Sequence, residues 1–559
     1  MGRGRSVIGG RGNVIFVFLM TRQLRLQALC AIAVISAAFA QRPGLDRIRS
    51  NDLRADLTFL ASDALEGRRS LQRGSEVAIQ FLAAEFSKAG LEPVAGDSYL
   101  QPVPLIEYRV DTSQTALAIE HGAARRDLKY GVDFFGGSAF EATVQGPVAF
   151  AGYGITAPEF GYDDYASLDA RGKIVLIFDH EPQENDARSI FNGKGSTRYS
   201  SALVKMLNAE KHGAIGVLVA AEPNRKHPSP QERTARIPGS EQRARRLPPQ
   251  TLAESEARLP TLSVSDALAV ELLSATGQKP AELQARIDDT LKPASLVLPD
   301  VRAEMRIVIA EQRRGTSYNV LGLVEGSDPT LKNETIVFSA HYDHEGAWEG
   351  NIYHGADDNG SGTVGVLELA RAFAASPQKP KRSLLFVIFA AEERGLLGSY
   401  YYVAHPLRPL ETTRAVINFD MIGRNETPSR QTEGLMDIAP DTSNELNLIG
   451  TINSPDYRAS VERANEFVGL RLNDKWDRDA ALNIFQRSDQ FPFALHDIPA
   501  IWWFTGFHPD YHQSTDTVEK INFTKMEKIL RLAYLTGWEF ANAAAPPRFV
   551  ARPAMGGSR

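Results

Sequence analysis

The chain has 559 residues, 43% of them hydrophobic and 23% charged, with a formal net charge of −6. That balance is the one of a soluble globular protein, and the length favours two or more domains. The mild acidity and the absence of basic clustering exclude nucleic acid as the main partner.

Taken in chain order, Arg22 and Arg25 precede an apolar run over 26–39, which ends Ala38-Phe39-Ala40 before Gln41. A basic flank, a short apolar core and an A-x-A site read as a cleavable signal peptide over residues 1–40, with Met20 as an alternative start. The run is too short for a lasting anchor. The mature chain is therefore expected to have no membrane span and to be secreted or periplasmic. Cys30, the single cysteine, falls in this segment. The mature chain then has no disulfide, thiol nucleophile or thiolate ligand.

Residues 45–61 and 75–89 have helical spacing, the second with Ala78, Ile79, Phe81, Leu82 and Phe86 on one face and Gly90 as its stop. Residues 99–110 read as extended. This opening is expected to pack on the catalytic sheet. From Val144 the character changes. Strands are predicted over 146–154, 173–178, 214–220 and 260–264, with a helix over 200–212. Residues 223–250, rich in Pro, Arg, Glu and Ser, read as an exposed loop. Together they suggest a compact β-rich insertion over 144–290. Strands at 304–309 and 319–324 follow. Then strand and helix alternate: strands 335–340, 384–390 and 415–419, helices 362–374 and 395–403. Such βαβ order predicts an α/β fold with a mostly parallel mixed sheet sandwiched by helices. Further helices are expected over 443–452, 461–468 and 523–542, and residues 546–559 read as a loose tail.

Metal-type ligands recur where these strands end. His341-Tyr342-Asp343-His344 follows the first strand. Asp358 lies on the glycine-rich turn 355–362 that opens a helix, Glu392-Glu393 follows the second strand, and Asp420 follows the third. His512 comes late, beside Tyr511. Two imidazoles and three carboxylates without sulfur suit zinc, with manganese or cobalt as substitutes. Asp358 is the candidate bridge between two ions. His341 and Asp420 would complete one, and Glu393 and His512 the other. Two such ions at about 3.5–4 Å lower the pKa of a shared water. Glu392 is then the candidate general base. Asp343 is expected to orient the His341 ring, because residues i and i+2 of an extended chain share a side. Tyr511 is expected to donate to the oxyanion. His344, His354, Asp357 and His508 have no assigned ligand role, and Asp489 faces either the cleft or a turn. Trp502-Trp503-Phe504 reads as a buried strand. Gly152-Tyr153-Gly154 lacks the rest of a dinucleotide fingerprint, and Ser361 lacks the flanks of a nucleophile elbow.

These motifs together resemble zinc-dependent exopeptidases of the M28 peptidase family, which contains aminopeptidases and glutamate carboxypeptidases. The resemblance rests on 341–344, 355–362, Ala391 to Ser399, Asn418 to Arg424 and Phe504 to His512. It implies ligands at His341, Asp358, Glu393, Asp420 and His512, two zinc ions per chain, a base at Glu392 and an oxyanion donor at Tyr511. It also implies that residues 144–290 are a protease-associated (PA) domain inserted in a catalytic domain formed by 41–143 and 291–545. After Ser488-Asp489 the family often has His where this chain has Gln490. The implied activity is peptide hydrolysis at a chain end, first an aminopeptidase and second a glutamate-type carboxypeptidase. The rivals on the same fold are a metal-free receptor-like protein and a one-zinc glutaminyl-cyclase-like acyltransferase. Peptides are the implied partners, and the oligomeric state is open.

Overall fold

The computed structural model describes residues 44–550, apart from 187, 192, 194–196, 241–246, 255–257, 479–481 and 483. The signal peptide expected over 1–40, with Met20 and Cys30, lies outside the described residues, as does the tail beyond residue 550. Among the described residues, no helix is long and apolar enough to cross a membrane.

The larger sheet has nine strands. Its centre is four parallel strands, β1 (Thr335–His341), β2 (Ser383–Phe389), β3 (Thr413–Phe419) and β4 (Ala500–Phe504), in the spatial order β2-β1-β3-β4. Every residue of β1, β2 and β4 is buried, which suits near-continuous apolar runs covered on both faces. The chain passes from β1 to β2 on one side and then to β3 on the other. The carboxyl ends around β1 are therefore a topological switch point, where open α/β sheets bind ligands. Register aligns those ends, with His341 opposite Phe389 and Phe419 opposite Trp503. Antiparallel strands Leu100–Val110 and Ile309–Val324 extend the sheet beyond β2, and Glu445–Ile449 pairs antiparallel with β4.

The helix α1 (Gly362–Ala374) and the helices Ser50–Leu60, Arg73–Ala89 and Phe523–Asn542 bury their apolar faces in one core with Phe338 and Phe386. The opening segment thus packs on this larger sheet. Gly90 ends its helix at φ 79°, the left-handed cap that glycine adopts without a Cβ clash. The helix expected over 443–452 is instead the strand Glu445–Ile449. Leu446 and Leu448 enter one core and Ile449 another, a period of two that a short apolar run leaves ambiguous.

The second sheet has eight strands around a parallel set of Ala142–Phe150, Ile174–Phe178, Gly216–Ala220 and Thr261–Val264. It reaches beyond the expected limits of 144–290. Ala116–His121, Ala124–Asp127 and Phe134–Phe135 join it from before, and Leu296–Ile307 from after. Leu117, Ile119 and Met305 tie these flanking strands into its core. Within 223–250, Pro230–Ala235 is helical and His227 and Ser229 are buried. Gln250–Leu252 then pairs with the larger sheet.

Candidate metal centre

The cleft lies where β1, β2 and β3 end. His341 is the last residue of β1; Glu392 and Glu393 follow β2, and Asp420 follows β3. Asp358 comes from the turn before α1. Gly355 begins that turn at φ 55°, where a Cβ would meet the Asp358 carbonyl oxygen at 2.2 Å. Asn359 ties the turn to β3. Its Nδ2 donates to the Phe419 carbonyl at 2.8 Å, and its Oδ1 accepts from the N–H groups of Gly362 and Met421. Thr363 donates to the His341 carbonyl at 2.6 Å. The elements carrying Asp358, Asp420 and His341 are thereby cross-linked.

His341 Nε2 is buried and has no hydrogen-bond partner. Three carboxylate oxygens, from Asp358, Glu392 and Asp420, surround it at 3.6 Å each. That is too long for a good hydrogen bond. It is close to the roughly 3.3 Å that separates ligand atoms around a tetrahedral ion with bonds of about 2.0–2.1 Å. His512 Nε2 lies 2.9 Å from Asp358 and 3.2 Å from Glu393. Asp358 turns Oδ1 to His341 and Oδ2 to His512, so one carboxylate faces both imidazoles. All five expected ligands are brought together, and this donor set fits divalent metal: imidazole nitrogens converge on carboxylates, and at His341 they do so without a hydrogen bond.

Burial works against charge on His341, but Glu392 and Asp420 outweigh it and hold the imidazole well above its usual range. Burial pushes the Glu392 carboxyl well up; His341 opposes the shift, and Asp420 and Asp489 add to it. Burial pushes Glu393 up as well, but His512 and His344 together outweigh it and hold this carboxyl well below the carboxylate range. Two neighbouring carboxyls thus have opposite proton affinities, a pattern typical of sites that move protons.

Asp343 differs from expectation. Its carboxylate is 3.8 Å from His341 Nδ1, while its backbone carbonyl is at 3.1 Å and accepts from that ring. The strand stops at His341, so residues 341 and 343 no longer share an extended face. The carboxylate instead accepts the Glu392 N–H at 3.0 Å. Tyr511 lines a small cavity of about 30 Å³ with Glu392, Asp420 and His512, and its hydroxyl accepts from Arg487 at 3.0 Å. His344 meets Glu393 at 2.8 Å. Asp357 joins His508 at 3.2 Å and the Gly423 N–H at 2.7 Å. Asp489 is buried and accepts from Ser399, and His354 pairs with Asp63 away from the cleft.

Four residues of the centre went unrecognised in the sequence. Glu345 faces His512 Nδ1 at 3.2 Å, and Asp516 accepts the N–H groups of Asp357 and Asp358. Arg487 holds Tyr511, and Arg68 binds the backbone of the ligand loops. Only Glu345, directly after His344, carried a local signal.

An α/β sheet with this donor set at its switch point frames a candidate metal centre. Residues 319–536 match Peptidase family M28, and residues 144–272 match the PA domain. The M28 match covers the parallel centre of the nine-stranded sheet, and the PA match lies in the second sheet. It is 28% identical over 298 residues to a probable lipoprotein aminopeptidase of Mycobacterium tuberculosis, covering 49% of this chain and 50% of that one. It is 40% identical over 111 residues to an aminopeptidase of Bacillus subtilis, covering 19% and 22%. Among solved structures, an aminopeptidase from Aneurinibacillus aligns over 91% of this chain and 97% of its own at 20% identity, with a TM-score of 0.47. The chain spans about half the length, or less, of these curated relatives.

Proposed function

We propose that the protein is an aminopeptidase that works with two zinc ions. The observation that carries this reading is the double-facing carboxylate of Asp358, with Oδ1 toward His341 and Oδ2 toward His512. On this reading His341, Asp358 and Asp420 hold one ion, and Asp358, Glu393 and His512 the other. Bound there, the pair supplies Lewis acidity to the scissile carbonyl and acidifies the attacking water.

The chain's own residues do the rest. Glu392, whose carboxyl burial pushes toward the protonated form, takes the water proton and passes it to the leaving amine. Asp343 is a positioning residue, since it fixes the Glu392 backbone. Tyr511 accepts from Arg487 and so keeps its own O–H free to donate to the developing oxyanion. The names of the relatives support the amino end of a peptide as the substrate. The segment 1–40 and the relative named as a lipoprotein support export from the cytoplasm.

The test is Glu392→Gln. It is expected to keep the zinc content of the wild type and to lose at least about a hundredfold in turnover of an aminoacyl peptide. A chelator is expected to abolish turnover of the wild type, and added zinc to restore it. Turnover within a few-fold of the wild type in Glu392→Gln sinks the base assignment.

A further inference from the structure

Outside the cleft, the inserted domain holds a second buried set of metal-type donors. Ile174–Phe178 and Gly216–Ala220 are adjacent parallel strands with Phe178 opposite Ala220. His180 stands two residues beyond the first strand and Glu222 two residues beyond the second. Glu184 follows on the first loop and His227 on the second. All four side chains are buried. Their donor atoms close a ring. His180 Nδ1 is 2.8 Å from Glu184, Glu184 is 3.0 Å from His227 Nε2, His227 Nε2 is 2.8 Å from Glu222, and Glu222 is 3.2 Å from His180 Nδ1.

Protons alone hold this ring poorly. His227 Nδ1 lies 2.9 Å from the Pro228 carbonyl oxygen and donates to it. In a neutral ring, Nε2 then presents a bare lone pair to two carboxylates. His180 Nδ1 also meets both carboxylates, and its Nε2 is buried with no partner. Full protonation would stack two cationic rings 4.2 Å apart and bury the second charged N–H of His180 without an acceptor. One divalent cation at the centre resolves both problems. It is met by two neutral imidazoles and balanced by two carboxylates. The ring's edges approach the roughly 3.3 Å between ligands of a tetrahedral ion with bonds of about 2.0–2.1 Å. The bond from His227 Nδ1 to a carbonyl is the outer contact that sets a metal-binding tautomer.

We propose that His180, Glu184, Glu222 and His227 form a further zinc-class metal site in the inserted domain, separate from the catalytic cleft. Four nitrogen and oxygen donors with no open position make it a structural site. Its ion ties together two loops through which the inserted domain touches the M28 domain. The first carries Arg198, which pairs with Asp497 at 2.9 Å. The second carries Arg236, which donates to the Arg430 and Glu433 carbonyls, and Pro238, whose carbonyl accepts from Gln513 beside His512.

Zinc per chain, counted by mass spectrometry, tests this on the full chain after stripping with a chelator, reloading with Zn²⁺ alone and desalting. A cleft variant, His341→Gln/Asp358→Asn/His512→Gln, is expected to retain one zinc. Adding His180→Gln and His227→Gln to it is expected to remove that zinc. A cleft variant that binds none overturns the proposal, and so does a zinc count unchanged by the two added substitutions. Should the combined variant fail to fold, the count on the cleft variant decides alone, because its inserted domain is untouched. Stripping zinc from the cleft variant is expected to speed amide exchange over residues 216–235 several-fold. Unchanged exchange there overturns the bracing role.

Discussion

Arg68→Met probes the scaffold that holds the ligand loops. The guanidinium is buried and donates to four backbone carbonyls: Tyr342 at 2.7 Å, Leu60 and His354 at 2.6 Å, and Gly355 at 2.9 Å. Tyr342 follows His341, and Gly355 opens the turn of Asp358. Methionine fills the stem and leaves all four carbonyls without that donor. Bonds from a charged donor contribute about 1.5–3 kcal/mol each, so four give at least about 6 kcal/mol. The buried charge has a cost that the substitution relieves. Burial pushes the Arg68 pKa down to about 10 from 12.5, which corresponds to roughly 3 kcal/mol. The net expectation is a loss of about 3 kcal/mol. Urea unfolding followed by tryptophan fluorescence reads it. All five tryptophans, at 348, 476, 502, 503 and 538, lie outside the inserted domain, so the signal reports the M28 domain. At a slope of about 3 kcal/mol/M, the midpoint falls by about 1 M. A midpoint within about 0.2 M of the wild type, at unchanged slope, refutes the bracing role of Arg68.

Two further outcomes follow from the geometry. Tyr511→Phe is expected to lower kcat by about 10²–10³ with zinc content unchanged, the cost of one lost oxyanion donor; an unaltered kcat removes Tyr511 from the chemistry. Burial pushes Asp164, in the inserted domain, up to about 7, against its bonds from Tyr162, Ile155 and Tyr153. The folded state then holds that proton more tightly than the unfolded chain does. This group's contribution to stability is present at acidic pH and is lost as pH rises from about 4 to about 7. Asp164→Asn is expected to flatten that part of the pH profile in the inserted domain's thermal transition, and an unchanged slope contradicts the assignment.

Four of the five candidate ligands, His341, Asp358, Glu393 and Asp420, stand out in the sequence because each follows an apolar strand or, like Asp358, sits in a glycine-rich turn, whereas His512 reaches the same cleft from far along the chain. The central sheet was legible for the same reason, from the continuous apolar strands that precede those ligands. What could not be read was held by long-range contact. Arg68 lies among charged residues that look like a surface loop, and only the folded chain buries it against Tyr342 and Gly355. A strand continued past His341 points Asp343 at the imidazole, but β1 ends at His341 and the Asp343 carboxylate meets the Glu392 N–H. The strand Glu445–Ile449 read as helix because five residues are too few to separate the two periods. The limits of the insertion were blurred by Leu296–Ile307, which runs directly into the strand Ile309–Val324 of the other sheet.

The most direct test of the central claim compares one peptide with its amino terminus free and acetylated, using the zinc-loaded full chain and mass spectrometry of the products. Release of the first residue from the free peptide and no cleavage of the acetylated one are expected. Release from the carboxyl end, or equal cleavage of both peptides, contradicts that claim.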